Sequence, residues 1–390
     1  MKLKSKKQTY TFLIFTITSI IIGYLFLPNF SILQIENSSR KLDYYLEPST
    51  PNILQDEIPL NYTMEVSYKI RSISQTAFHR VILARFPQNR NQDVYLKSIE
   101  MTGVDYFYQE EDKYGNTFDI IDGIIKRGNV MSINYKYNIS LKNPSIQIFN
   151  ENNIKLYNRS QKIFSLYCNQ SEIFYEIDDP DLIIASNKIT GNLNNPIEKA
   201  KAIIEWIYNN IEYDDSIDVR KGASWAYDNK RGICGDFSDL FITLLRIQGI
   251  PARKLNGFVL ISKHFKSDGR IVELKYTKDN SNFALHAWAE YYVEGIGWLS
   301  CDPTWYSPYN TPYDYFYKMA YIHINEVRGR SFSSPLHAIF LDNFEFLYTI
   351  RLIDPGYIEP PFSLVENIPW IFFIILILLG GYLYNFKLRD

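Results

Sequence analysis

The sequence predicts an α+β core preceded by an all-β, sandwich-like domain, with a transmembrane helix at each end. Short alternating runs fill residues 58–165, helical and strand patterns mix in residues 175–335, and both ends of the chain carry long uncharged stretches. A chain of 390 residues is long enough for two ordinary domains. The predicted segments are a basic tail at 1–7, a first span at 8–27, a β domain at 45–165, the α+β core at 175–335, supporting strands and a linker at 336–366, a second span at 367–385 and a tail at 386–390.

The two spans are predicted from the absence of charge. Residues 8–27 carry no charged side chain and follow four lysines within residues 1–7; about 20 apolar residues can cross a bilayer as a helix. A second uncharged stretch, 368–384, precedes Lys387 and Arg389. Because Lys and Arg favour the cytoplasmic side, we expect both termini in the cytoplasm and the region between them outside the cell membrane. The first stretch lacks an Ala-x-Ala-like site, which favours an uncleaved anchor over a cleaved signal peptide.

The β domain is predicted from alternation of apolar and polar residues. Turn residues separate the runs, for example Lys-Tyr-Gly-Asn at 113–116 and Lys-Arg-Gly-Asn at 126–129. This spacing is typical of a β-sandwich. We favour a spacer or packing role for it over a substrate-binding or surface-binding role. The clearest runs are 62–70, 80–86, 94–101 and 130–139.

Cys234 is the first candidate catalytic residue. Apolar residues follow it at helical spacing, from Phe237 to Leu245, and Gly249 with Pro251 then ends the helix. The pattern places Cys234 at a helix N-terminus, where the helix dipole and free N–H groups stabilise a thiolate. The alternative is a small buried apolar cysteine, which the flanking glycines make less favourable.

His286 and Asp302 are predicted to meet on a hairpin. Residues 284–293 alternate as a strand, a Gly-containing turn follows, and 298–302 reads as the return strand. If Tyr292 pairs with Ile296, Asp302 falls opposite His286; a different turn shifts this register by one or two residues. An Asp beside a His fixes its tautomer and supports an imidazolium. Glu290 is the rival carboxylate.

The remaining composition restricts the possible functions. With a net charge of −2 and no Lys/Arg-rich stripe beyond the terminal lysines, the chain gives no case for nucleic-acid binding. No Cys-x-x-Cys occurs, and the five histidines are isolated from one another in sequence, so we expect no metal site and no cofactor. Cys168 and Cys301 either pair or both stay reduced.

Three stretches together resemble the transglutaminase-like core. They are Gly-Ile-Cys-Gly-Asp-Phe and its continuation at 232–253, His-Ala-Trp-Ala-Glu-Tyr-Tyr at 286–292, and Gly-Trp-Leu-Ser-Cys-Asp-Pro-Thr-Trp at 297–305. A helix at 196–208 that leads to Ile-Glu-Tyr also fits this superfamily. The resemblance covers roughly residues 180–330 and implies a papain-like α+β fold with a catalytic triad of Cys234, His286 and Asp302.

The sequence also departs from the animal crosslinking enzymes of that superfamily. Gly235 and Asp236 follow the cysteine where those enzymes have Trp, and Pro-Thr-Trp follows the aspartate where they carry Thr-Pro. Their oxyanion-stabilising Trp has no dependable counterpart here; Trp225 and Tyr213 are the candidates.

The sequence therefore predicts a membrane-anchored cysteine acyl-transfer enzyme that acts outside the cytoplasm on amide bonds of a protein or peptide substrate at the cell surface. Water is the expected acceptor, as in a peptidase or amidase, because neither an amine-binding pocket nor an EF-hand calcium loop is recognisable. The alternatives are a crosslinking transamidase and a non-enzymatic surface-binding protein with the same fold.

Overall fold

A computed structural model describes residues 61–73, 77–89, 92–141, 153–260, 271–277, 281–304, 322–329 and 344–354 of the protein. The strands are β1 (Asn61–Ser72), β2 (Ala77–Ala84), β3 (Gln92–Thr102), β4 (Tyr106–Glu111), β5 (Thr117–Ile125), β6 (Val130–Leu141), β7 (Glu212–Tyr213), β8 (Arg231–Gly232), β9 (Ala252–Leu260), β10 (Ile271–Thr277), β11 (Leu285–Val293), β12 (Gly297–Cys301), β13 (Ile322–Arg328) and β14 (Phe344–Ile353). The helices are α1 (Lys162–Tyr167), α2 (Pro180–Thr190), α3 (Pro196–Asn210), α4 (Ala223–Asn229) and α5 (Cys234–Ile247).

A five-stranded antiparallel sheet is formed in the order β10-β14-β1-β6-β3. Its strands show the predicted alternation; along β1 every second side chain from Tyr62 to Ile70 is buried. The sheet combines strands from both sides of the predicted boundary at 165–175, because β10 and β14 come from later in the chain. From the supporting strands predicted after residue 336, β14 pairs with β1 and β10.

A second sheet, in the order β2-β5-β4, covers the first. Val81 and Leu83 from β2, with Ile121 and Ile125 from β5, join β1 and β6 in one buried hydrophobic cluster. The four predicted runs are confirmed as β1, β2, β3 and β6, and their two-layer arrangement is that of a sandwich. Strands β4 and β5 were not predicted from the sequence.

The α+β core is built on a four-stranded antiparallel sheet in the order β12-β11-β9-β13. Helix α5 packs on one face, where its leucines and phenylalanines share a buried cluster with Ala289 and Tyr291 of β11 and with isoleucines of α3. The predicted helix end is confirmed, since Gly249 follows α5 with a φ of 71°, a left-handed conformation that favours glycine. Three residues of this sheet belong to the same buried hydrophobic cluster as the two sheets of the sandwich, namely Phe258, Leu260 and Ile324. The strands of the sandwich therefore also support the α+β core.

In the part of the chain that the structure describes, no helix is both long enough and apolar enough to cross a membrane. The predicted spans at 8–27 and 367–385 lie outside the described residues.

Candidate active site

Cys234 is the first residue of α5, as predicted. The loop before it is fastened by Asp236, whose carboxylate accepts hydrogen bonds from the backbone N–H groups of Lys221 (2.6 Å), Gly222 (2.9 Å) and Ile233 (3.0 Å). A Cβ on Gly235 would lie 3.2 Å from Arg220 Cδ, so a larger residue after the thiol would crowd the Arg220 side chain. The half-buried Cys234 is thereby held at a helix N-terminus, where N–H groups and the helix dipole favour negative charge.

His286 is placed by the contact between α5 and β11. The Ser238 hydroxyl donates to the backbone oxygen of Ala287 at 3.0 Å, so the first turns of α5 lie against the start of the strand. His286 itself pairs with Gly257 of β9. The imidazole and the backbone of Ala287 lie close enough to the Cys234 thiol for both to lower its pKa.

Asp302 accepts a hydrogen bond from His286, and the hairpin register is shifted by two residues from the Tyr292–Ile296 pairing, within the range that the sequence left open. Tyr292 pairs with Trp298, not with Ile296, and Val293 pairs with Gly297. The loop of three residues, 294–296, contains Gly295 at a φ of 84° and lies one residue further along the chain than the three residues that a Tyr292–Ile296 pair would enclose. Asp302 is therefore displaced by two residues from the position opposite His286, and it lies just beyond the end of β12. Its carboxylate still reaches back to His286, with Nε2 and Oδ2 separated by 2.6 Å.

His323, which was not predicted from the sequence, also contacts Asp302. His323 lies on β13, and its Nε2 is 2.9 Å from the same Asp302 Oδ2 atom. The five histidines are isolated in sequence, yet the structure brings the His286 and His323 rings to a centroid distance of 5.5 Å. Only the pairing of β13 with β9 produces this proximity, and no spacing motif indicates it.

Electrostatics favour a charged thiolate–imidazolium pair. Burial acts to raise the pKa of the Cys234 thiol, but the hydrogen bond to His286 and the charge of its ring outweigh burial, so that the pKa is lowered. For His286, burial lowers the pKa, but the charge and hydrogen bond of Asp302 raise it to about 10. Burial also raises the pKa of Asp302, whereas His286 and then His323 hold it well below its usual range. The three groups thus stabilise one another in their charged forms.

Glu290, the rival carboxylate, serves a different partner. Arg253 donates to its Oε2 from Nε at 2.8 Å and from Nη2 at 2.6 Å, and both side chains are buried. The Arg253 guanidinium also lies 3.9 Å from the centre of the Trp298 ring. Glu290 therefore anchors β11 to β9, and Asp302 is the carboxylate that orients His286.

A second buried charged cluster lies beside the start of α5. Asp239 is paired with Arg220 and, at 3.5 Å, with the Lys254 ammonium. Lys254 Nζ would lie 3.4 Å from a Cβ on Gly235. Burial lowers the pKa of Lys254 to about 8, and its positive charge in turn lowers the pKa of Cys234.

The other two cysteines are free thiols. Cys168 is buried and its thiol contacts the backbone oxygen of Arg246 at 3.6 Å. Cys301 is fully buried in the cluster beneath α5, and burial raises its pKa well above the usual value. Of the two alternatives left by the sequence, the structure has the reduced form.

The two aromatic candidates for oxyanion stabilisation have other contacts. Tyr213 packs against Phe237 at a centroid distance of 6.0 Å, beside the α5 core. Trp225 lies on α4, with the Arg231 guanidinium 5.8 Å from its ring centre.

Three ligand atoms also converge in the way that a metal site requires. One atom each from His286, Asp302 and His323 lies within 4.8 Å of the others. Asp302 Oδ2 lies 2.6 Å from His286 Nε2 and 2.9 Å from His323 Nε2. Both are hydrogen-bond distances, and two hydrogen bonds to one carboxylate explain why the three atoms lie close together. We therefore interpret the cluster as a hydrogen-bonded network.

Comparison with known proteins identifies the domain. Residues 185–303, which include Cys234, His286 and Asp302, match the family model of the transglutaminase-like superfamily. The chain thus contains a transglutaminase-like domain, with the papain-like α+β fold of that superfamily and a substantial β content.

Individual relatives match over limited lengths. A 124-residue stretch is 30% identical to the uncharacterized protein YebA of Bacillus subtilis, which covers 30% of this chain and 16% of that protein. An 81-residue stretch is 32% identical to a protein-glutamine gamma-glutamyltransferase of Pseudomonas aeruginosa, which covers 21% of this chain and 11% of that protein. The chain therefore spans less than a fifth of the length of these two relatives. A candidate cysteine protease from Cytophaga hutchinsonii superposes with a TM-score of 0.44 at 17% identity, over 79% of this chain and 94% of that one.

Proposed function

We propose that this protein is a cysteine enzyme that cleaves amide bonds in proteins or peptides. The observation that carries the proposal is the position of Cys234 at the N-terminus of α5, beside His286, whose other ring nitrogen is hydrogen-bonded to Asp302. Asp302 occupies one ring nitrogen of His286, Nε2, which leaves Nδ1 to serve the thiol. A nucleophile, a base and an orienting carboxylate in this order are what acyl transfer requires.

The reaction follows from these roles. The Cys234 thiolate attacks the amide carbon, and N–H groups in the first turn of α5 support the developing oxyanion. The His286 imidazolium gives its proton to the leaving nitrogen as the C–N bond breaks, which leaves a thioester on Cys234. Neutral His286 then takes a proton from water, whose oxygen attacks the thioester, and the acid product leaves the regenerated thiolate. Asp302 keeps the imidazole oriented and supports its charge through both steps.

Transamidation is the second candidate. The observation that favours it is the similarity to a protein-glutamine gamma-glutamyltransferase. Here a primary amine replaces water and forms a new amide. We favour water, because the sequence offers no recognisable amine-binding pocket or calcium loop.

Incubation of the purified full chain with an unfolded protein substrate tests both reactions. Mass spectrometry would detect new N-termini after hydrolysis, or mass added by a small primary amine after transamidation. Cys234→Ala should abolish both products, and Cys168→Ser is the matched control that should keep them. Absence of any product from the parent chain, together with substrate binding that survives Cys234→Ala, would support the non-enzymatic alternative.

We further propose that the enzyme is held at the cell membrane by its two uncharged terminal stretches, with the domain outside the cytoplasm. Support comes from the basic residues that flank both stretches on their outer sides. Labelling of intact cells with a membrane-impermeant amine reagent tests the orientation. Exposed lysines such as Lys97 should react before the cells are opened, and protection of all of them would contradict the proposed orientation.

A further inference from the structure

We propose that His323 is a positioning residue for the triad, which holds the Asp302 carboxylate by donating a hydrogen bond from Nε2 to the same oxygen that receives His286. The inference rests on the proposed function and extends the unit from three side chains to four. It assigns a role to a histidine that lies outside the 185–303 segment matched by the family.

Three hydrogen-bond donors surround the Asp302 carboxylate. Asp302 Oδ2 contacts His286 Nε2 at 2.6 Å and His323 Nε2 at 2.9 Å, while Oδ1 accepts from the Thr304 backbone N–H at 3.0 Å. The three side chains are nearly inaccessible, with side-chain exposures of 4% for His286, 4% for Asp302 and 6% for His323. A buried carboxylate is stable when its oxygens are satisfied, and His323 supplies one of the three donors.

His323 is itself held in place by its neighbours. Its ring meets the Trp288 ring edge to face at a centroid distance of 4.8 Å, and Trp288 in turn stacks beside His286 at 6.0 Å. Gly257 lets β13 approach closely, since a Cβ there would lie 2.0 Å from the Ile324 oxygen. The strand geometry therefore delivers His323 to Asp302 in a defined orientation.

The protonation pattern follows from the acceptor. An ionised carboxylate accepts and cannot donate, so both imidazoles must carry a proton on Nε2. For His286 this leaves Nδ1 directed at Cys234, which is the tautomer that acyl transfer needs. Without the donor of His323, the carboxylate loses one of its three restraints, and His286 loses the fixed acceptor that sets this tautomer. We expect the thiolate–imidazolium pair to weaken as a result.

Nitrogen-15 NMR of the full chain labelled at histidine gives the direct test. His323 is assigned by comparison with the His323→Gln variant. We expect its Nε2 to carry a proton at neutral pH and to couple to a hydrogen-bonded proton. A neutral His323 with its proton on Nδ1 would overturn the proposal. The measurement is made on the parent chain, and the variant serves only to assign the His323 signals.

Two variants separate the donor from the ring. His323→Phe keeps an aromatic ring against Trp288 but removes the N–H donor, whereas His323→Gln keeps an N–H donor at a similar reach without the ring. In His323→Phe we expect the rate of Cys234 alkylation at acidic pH to fall by about tenfold to a hundredfold, the scale of a small misplacement in an active site. His323→Gln should recover most of that rate.

Alkylation uses no substrate, so the result is independent of the proposed reaction. A His323→Phe variant with the parent pH profile would overturn the positioning role, as would a His323→Gln variant that loses as much as His323→Phe while both remain folded. If the parent chain cleaves no amide but the His323 variants change the alkylation profile as expected, the proposed function fails and the positioning role stands.

Discussion

Glu326 is a buried carboxyl group whose replacement should stabilise the protein. It lies on β13, at a bulge where the register with β9 shifts between Asn325 and Val327, and it is 4% exposed. Its hydrogen-bond donor is the Tyr348 hydroxyl at 2.7 Å, and Tyr348 stacks on Tyr68 with ring centroids 4.5 Å apart. Burial raises the pKa of Glu326 from 4.5 to about 7, although the Tyr348 hydrogen bond acts in the opposite direction.

The magnitude follows from these two pKa values. Between pH 4.5 and about 7 the unfolded chain ionises at this residue while the folded protein does not, so the free energy of unfolding falls as pH rises and levels off above pH 7. One pKa unit corresponds to about 1.4 kcal/mol, so the loss at this single group approaches about 3 kcal/mol. Glu326→Gln keeps the shape and an acceptor for Tyr348 but cannot ionise. It should be more stable than the parent by up to about 3 kcal/mol above pH 7, and the difference should vanish below pH 4.5.

Urea unfolding of the full chain across this pH range measures the difference. Tyr348→Phe is the control: it removes the hydrogen bond that lowers the pKa of Glu326 and should therefore extend the pH-dependent loss to higher pH. Equal stability of Glu326→Gln and the parent at pH 8, or a less stable variant there, would refute the reasoning.

Two further predictions concern the buried charges around the site. Lys254→Met removes a positive charge beside α5 and should raise the pKa of the Cys234 thiol, which would slow its alkylation at pH 6 severalfold. Lys254→Arg is the charge-retaining control. An unchanged rate of alkylation against pH in Lys254→Met would contradict an effect of the Lys254 charge on the thiol. Arg253→Met leaves Glu290 buried without its bidentate donor and should cost about 3–5 kcal/mol in urea unfolding. The double variant Arg253→Met/Glu290→Leu should recover most of this loss, and equal losses in both would contradict a buried ion-pair origin.

The sequence allowed the local parts of the site to be predicted. Helical spacing after Cys234 and alternation around His286 are short-range patterns, and both elements are confirmed as α5 and β11. The hairpin register differs by two residues from the Tyr292–Ile296 pairing, a shift that the sequence left open, because the turn type decides the register and Glu294-Gly295-Ile296 is compatible with more than one turn. The His286–Asp302 hydrogen bond nevertheless forms, since a side chain can reach a diagonal neighbour.

Long-range strand pairing could not be predicted in the same way. His323 reaches Asp302 only because β13 pairs with β9, and β14 joins β1 across most of the chain. Neither pairing leaves a spacing pattern in one sequence. A polar His-x-Asn-Glu run inside a short strand, 323–326, was the available signal, because such residues are expensive to bury without partners.

The central claim is that Cys234 and His286 form a thiolate–imidazolium pair, and the rate of Cys234 alkylation against pH tests it most directly. The full chain is compared with His286→Ala, and Cys234→Ser gives the background from Cys168 and Cys301, which burial should keep nearly unreactive. A free thiol has a pKa of about 8.5. We predict rapid alkylation of the parent chain well below that pH, and loss of this reactivity in His286→Ala. An ordinary thiol titration that is the same with and without His286 would contradict the account.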